Sequence, residues 1–375
     1  MKKSTLPTRL LALAAAVATA ATVAVGGASS AEAAKRPTST DVSSAKPALS
    51  AEAKAAGAAK FGPAATEAQT LEAYWTPERM RAAKPAEDDT ALASAATAYV
   101  QKQQADQKAG RKPVTNDGPV RSADGVASKV FGSASTAGGF AAAYNPNLPY
   151  YVPTAYTAGK VFFSKPDGNY VCSGTIVNSE GKDTVWTAGH CVHGGSGGTW
   201  HTNWTFVPAY DDDLANPRPY GTWSANQLWS RTAWTNSSDF SQDMGVAIMN
   251  TNWGWHIVDY FGGQGLTTNR GKSGVWENAF GYPAESPFDG GNLMQCWGST
   301  SPEWDAWFVW SQTVKIPCDM TRGSSGGGWL YGYNGNWGQL NGVNSRIDRI
   351  VGPTIMLSPY FDDDAWGLFN STRYL

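Results

Sequence analysis

Beyond about residue 140 the chain is a succession of short apolar runs separated by glycine and polar turns. "KVFF" (Lys160 to Phe163), "GTIVN" (Gly174 to Asn178), "DTVWTA" (Asp183 to Ala188), "GVAIM" (Gly245 to Met249), "AWFVW" (Ala306 to Trp310) and "WGQLNGVNS" (Trp337 to Ser345) are too short for helices and rich in β-branched and aromatic residues. No long stretch with helical period interrupts them. This restricts the C-terminal part to an all-β barrel or sandwich, and one domain of about 230 residues suffices for that class. Sixteen of the seventeen tryptophans follow Val185, and core or groove walls explain them better than a sugar platform.

The N-terminal third is different. Lys2, Lys3 and Arg9 precede an Ala/Val/Leu run that ends in small residues around Ala31-Glu32-Ala33, the order of a secretory signal peptide spanning 1–34, with an uncleaved anchor as the alternative. Residues 35–125 are rich in Ala, Lys, Glu, Asp, Ser and Thr, lack cysteine and contain one tryptophan, Trp75. Such a composition predicts a solvated pro-region or linker, or a small independent helical domain, before a main domain at 126–375. Within it, "TPERMRAAKP" predicts a short helix capped by Thr76, with Pro77 in its first turn and Pro85 beyond its end. Lys+Arg 29 against Asp+Glu 31 offers no electrostatic basis for binding nucleic acid. Export to an oxidising compartment favours disulfides over thiol chemistry or zinc at Cys172, Cys191, Cys296 and Cys318.

Two serines lie among glycines in "TRGSSGGGWLY", Thr321 to Tyr331, which alone would pass as a surface turn. All four histidines, His190, His193, His201 and His256, come before Ser324 and Ser325. This order excludes a nucleophile elbow, whose histidine follows its serine. A serine hydrolase here needs the order His, Asp, Ser or Asp, His, Ser. His190 ends the strand-like run "DTVWTAGHC", and a bridge from Cys172 to Cys191 would tie down the strands that hold it, contributing about 3 kcal/mol by loop closure. Asp243 directly precedes an apolar run and suits a buried carboxylate that orients an imidazole, with Asp239 as its rival. Cys191 and His193 could pair on a metal, and Asp211 to Asp213 or Asp362 to Asp364 on calcium, but a disulfide and solvated turns are the simpler readings.

"TAGHC", "DMGVAIM" and "GSSGG", in that order, resemble the chymotrypsin-like serine proteases, and "CDMTRGSSGGGW" is similar to the bacterial secreted branch that includes glutamyl endopeptidases. The resemblance runs from about residue 150 to the C-terminus. It implies a double β-barrel, a catalytic triad of His190, Asp243 and Ser325, and an oxyanion hole from the backbone N–H groups of Gly323 and Ser325, with the glycines letting substrate approach. It further implies Asp319 at the base of the specificity pocket and Ser345 on the substrate-binding strand, while export leads to the expected bridges Cys172–Cys191 and Cys296–Cys318, the second of which the resemblance does not fix because Cys318 is out of the family's usual place. Arg346, if turned inward, would favour acidic substrates, whereas Asp319 would favour basic ones. No cofactor or metal is implied. The expected protein is a secreted, extracellular, monomeric endopeptidase made as a zymogen, acting on proteins or peptides and free of the membrane once its signal is cut. A catalytically silent binding protein on the same fold and a secreted serine esterase are the alternatives. Three departures stand out: Ser324 where digestive relatives carry an aspartate that pairs with a new N-terminus, Gly328 where proline is frequent, and Cys318 seven residues before Ser325.

Overall fold

The computed structural model of the protein describes residues 41–111, 116–130, 150–151, 156–303, 312–347 and 355–375. The expected leader at 1–34 and the "AWFVW" run lie outside the described residues, among which no helix is long and apolar enough to cross a membrane.

Lys160 to Phe163 falls within strand Ala158–Lys165, Gly174 to Val177 ends strand Gly168–Val177, and Asp183 to Ala188 centres on strand Thr184–Thr187. With Thr202–Pro208, Trp223–Arg231 and Gly245–Met249 these make six strands, and pairing of Trp223–Arg231 with both Thr202–Pro208 and Gly245–Met249 closes them into a barrel. The strands are buried at almost every residue instead of every second one. Both faces are covered: Val161 and Phe163 pack with Ile176, Val185 and Phe206, while Phe162, between them in sequence, packs with Trp75, Val171 and Tyr210.

A second set of strands follows. Gly265–Thr268, Gln339–Val343, Gly328–Tyr331, Trp276–Gly281 and Met294–Ser299 pair in that order, and Thr313–Pro317 pairs with Ile355–Pro359 in a neighbouring sheet. The two sheets join where the backbone N–H of Val343 donates to Ser358 Oγ at 2.9 Å and that of Ser345 to the Leu357 carbonyl at 2.9 Å. The architecture is the expected all-β double barrel.

The stretch read as solvated is packed instead. It forms helices Ala51–Phe61, Glu67–Tyr74, Pro77–Ala82 and Thr90–Lys108, the third capped by Thr76 as the sequence predicts. Strand Val42–Ala45 adds antiparallel to Trp223–Arg231, and Lys84–Pro85 pairs parallel with Tyr170 and Val171. Trp75 is fully buried, its ring 5.4 Å from that of Phe162 and its indole N–H donating to the Asn203 carbonyl at 2.8 Å. Composition misleads here because the segment needs no core of its own. Leu71, Tyr74, Trp75 and Met80 use the outer face of the barrel as the other half of a shared one. Arg121–Ala123 pairs with Gly265–Thr268 of the second barrel, and Val126–Ala127 pairs with Gly262–Gly263 in a separate two-stranded sheet, so the chain on either side of residue 125 is held by strand pairing.

Candidate active site

His190 sits on a single turn, Gly189–Cys191, just past strand Thr184–Thr187. The Cys172–Cys191 disulfide ties this turn to strand Gly168–Val177, and Cys296–Cys318 forms the second bridge, so both expected pairings are present. Cys191 is therefore committed to sulfur, and His193 accepts the Gly195 backbone N–H at Nδ1. Beneath the imidazole lies Asp243, fully buried. Its Oδ1 accepts the backbone N–H of His190 at 2.8 Å, and its Oδ2 faces His190 Nδ1 at 2.8 Å. The rival carboxylate is occupied elsewhere: Asp239 takes the Ser241 N–H at 3.0 Å and the Ser241 hydroxyl at 2.7 Å.

Burial opposes the imidazolium form of His190, but the charge and hydrogen bond of Asp243, helped by Glu87, outweigh it and raise the pKa above the ordinary histidine value. His190 Nε2 is buried and has no hydrogen-bond partner among the described residues. His201 supports the turn from behind, stacked 4.2 Å from Phe163, with Nε2 2.9 Å from the His190 carbonyl. Burial depresses the His201 pKa to about 3, so it stays neutral and donates there.

Ser325 is 2% exposed. Its carbonyl accepts the Ser173 N–H at 2.6 Å and lies 3.7 Å from Cys191 Sγ, which sets the serine loop against the disulfide beside His190. Gly326 has φ +82, and a Cβ there would lie 2.0 Å from Thr187 Oγ1 and 2.8 Å from Ala188 N. At Gly327 a Cβ would lie 1.9 Å from the Phe280 carbonyl oxygen. These glycines thus let the loop press against its own barrels, a different reason from the expected approach of substrate. Gly323, φ +92, directs its N–H to Glu87 Oε2 at 3.1 Å. The Ser325 hydroxyl donates to Glu87 Oε1. Ser324, by contrast, donates its hydroxyl to the Thr321 carbonyl at 2.8 Å, closing its own turn where a carboxylate would need a cation.

Other predicted residues are placed as follows. Ser345 is 3% exposed and donates its hydroxyl to Asp243 Oδ2 at 2.6 Å, so its side chain belongs to the His190–Asp243 pair. Asp319 is partly buried, its Oδ1 has no hydrogen-bond partner among the described residues, and burial raises its pKa to about 6. Arg346 pairs with Glu303 at 2.6 Å and its guanidinium lies over the rings of Tyr99 and Phe240. Asp212 pairs with Arg81, Asp364 with Arg231, and Asp362 caps helix Asp363–Thr372.

Sequence reasoning missed three supports. Asn344 clamps the serine loop, donating to the Phe280 and Ser324 carbonyls at 2.8 and 2.9 Å while accepting from Trp329 at 2.7 Å. The second is His201, and the third is Glu87, 238 residues away from Ser325 along the chain. No local signal marks any of them.

Among solved structures, the thermostable serine protease AL20 from an extremophilic microorganism is 36% identical, covering 58% of this chain and 97% of its own, with TM-score 0.53. Protease Anisep from Arthrobacter nicotinovorans is 36% identical, covering 60% of this chain and 99% of its own, with TM-score 0.55. No family model and no curated protein matches the chain.

Proposed function

We propose a mechanism on the premise that the chain belongs to the chymotrypsin-like serine proteases and is a serine endopeptidase, as its two 36%-identical relatives show. Ser325 Oγ attacks the scissile carbonyl carbon as its proton passes to His190 Nε2. The oxyanion that forms is received by the N–H groups of Gly323 and Ser325. Collapse expels the amine, which takes the proton from His190, and leaves an acyl ester on Ser325. Water, deprotonated by His190, then cleaves that ester. Asp243 remains ionised and keeps the proton on Nδ1. The observation that carries this reading is the buried Asp243, which accepts hydrogen bonds from the His190 backbone, the His190 ring and Ser345.

The mature enzyme acts outside the cell on proteins or peptides, and residues preceding the double barrel are removed from it. Two disulfides and the leader-like composition of residues 1–34 support export.

A fluorophosphonate probe tests the assignment. Ser325→Ala is expected to lose both labelling and cleavage of peptide amides, while Ser324→Ala keeps both, because the Ser324 hydroxyl is already committed to the Thr321 carbonyl. Undiminished turnover by Ser325→Ala would sink the reading. Ester cleavage without amide cleavage in the wild type would make the protein an esterase.

Specificity follows from Asp319, a carboxylate with an unpartnered oxygen, and from the engagement of Arg346 by Glu303. The enzyme cuts after Lys or Arg. Because the Asp319 pKa is raised to about 6, its charge is lost as pH falls through that value. The ratio of kcat/KM for a Lys substrate over its Leu counterpart is therefore expected to rise between pH 5 and pH 7.5, a comparison in which the titration of His190 cancels. An equal ratio at both pH values, unchanged in Asp319→Ser, would show that Asp319 does not line the pocket.

A further inference from the structure

Resting on the triad reading, we propose that Glu87 keeps the full-length chain latent by placing its side-chain carboxylate where the carboxylate of a cleaved product would lie. The carboxylate of Glu87 engages both catalytic groups, with the Gly323 N–H nearer Oε2 at 3.1 Å than Oε1 at 3.4 Å. Oε2 accepts the Gly323 N–H at 3.1 Å, the donor assigned to the oxyanion, and Oε1 accepts the hydroxyl of Ser325. A peptide product leaving the acyl enzyme presents the same pattern, one carboxylate oxygen on the oxyanion donor and the other at the nucleophile. Such charge-assisted hydrogen bonds are shorter and stronger than neutral ones.

The fold delivers this carboxylate by design of the neighbouring chain. Lys84–Pro85 pairs with Tyr170 and Val171, immediately before the Cys172 and Ser173 that adjoin the Ser325 loop. Ala86 is fully buried, and Ala86–Asp88 makes one tight turn that projects Glu87. The two acidic residues that follow fasten the turn on either side of the site. Asp88 pairs with Arg322 at 3.0 Å, next to Gly323, and Asp89 pairs with the largely buried Lys165 at 2.6 Å while capping helix Thr90–Lys108. "EDD" at Glu87-Asp88-Asp89 is thus three carboxylates with three separate partners on the barrels, and the middle of that attachment is the active site.

The consequence is chemical as well as steric. With its hydroxyl proton directed to Glu87, Ser325 does not present it to His190, whose Nε2 lacks a partner among the described residues. The oxyanion donor Gly323 is also taken. Displacing the Ala86–Asp88 turn releases both groups at once, without rebuilding the loop that Asn344 and the glycines hold.

The test uses the full-length chain and its variants Glu87→Ala, Glu87→Gln and Asp88→Ala, exposed briefly to a fluorophosphonate probe, with intact mass used to count label on uncleaved molecules alone. Thermal melting verifies that each variant is folded. Uncleaved wild type should label slowly, Glu87→Ala about tenfold faster or more, and Glu87→Gln and Asp88→Ala between the two, in line with the loss of a charged hydrogen-bond partner. Equal rates for wild type and Glu87→Ala, whether both fast or both slow, would overturn the proposal; both slow would mean that the bulk of the segment, not this carboxylate, blocks the site. The triad reading fails separately: label persisting in the doubly substituted Glu87→Ala, Ser325→Ala chain would show that Ser325 is not the nucleophile.

Discussion

Asp243→Asn is expected to lower kcat for peptide cleavage by about 10⁴-fold, the loss seen when a serine-protease triad keeps its shape but holds the wrong tautomer. The hydrogen-bond inventory around this position explains the size. Three donors converge on the carboxylate: the backbone N–H of His190, the ring Nδ1–H of His190 and the Ser345 hydroxyl. A carboxylate is acceptor-only and satisfies all three, whereas an asparagine has one acceptor oxygen and an NH₂ group. If its oxygen stays with the His190 backbone, its NH₂ faces Nδ1, and the ring must move its proton to Nε2. A His190 protonated at Nε2 cannot take the proton of Ser325. The raised pKa of His190 should fall as well, because the Asp243 charge is what overcame burial. Steady-state kinetics on the processed enzyme measure this, with circular dichroism to verify the fold. A loss of less than tenfold would mean that Asp243 does not control the imidazole.

Trp75→Ala, made in the Ser325→Ala background to prevent self-cleavage, is expected to destabilise the docking of residues 41–111 by about 3–5 kcal/mol, the range for emptying a buried aromatic site. Trp75 contributes a fully buried ring against Phe162 and an indole N–H that satisfies the Asn203 carbonyl. Its loss creates a cavity and leaves that acceptor buried without its donor. Denaturant unfolding of the full chain should then show the segment separating at lower concentration than the barrels, with loss of the far-ultraviolet helical signal that helices Ala51–Phe61, Glu67–Tyr74 and Thr90–Lys108 contribute coming first. A change below 1 kcal/mol would mean that the segment is held by its strand pairings and ion pairs and not by the shared core.

How legible this was in the sequence depended on how local the physics was. The strands could be read because runs such as Gly245 to Met249 are apolar, β-branched and short, and Thr76 could be read as a cap because its signature spans only the next residues. The pairing Cys172–Cys191 was equally accessible, since export leaves the four cysteines little other chemistry. Asp243 could be preferred over Asp239 only by its place before a strand. The geometry that separates them, two hydrogen bonds to His190 against two to Ser241, comes from how the turn before that strand meets the His190 turn.

By itself the amino-acid sequence determined the all-β class, and its ordered motifs pointed to the family and, through that resemblance, to the double barrel, because each rests on short patterns whose meaning does not depend on distant residues; the shifted Cys318 left its pairing with Cys296 for the structure to decide. Tertiary structure alone decided that Ser345 belongs with Asp243, that Asn344 clamps the serine loop, that Gly326 and Gly327 are required by Thr187 and Phe280, and that residues 41–111 pack where their composition suggested solvent. The physical reason is the same in each case. A hydroxyl, a glycine or a small set of apolar residues carries no label for its partner, and the energy that gives it a role arises only when the barrels bring that partner from tens or hundreds of residues away. Glu87 is the extreme instance: an ordinary acidic residue in an acidic stretch, until strand pairing at Lys84–Pro85 sets it against Gly323 and Ser325.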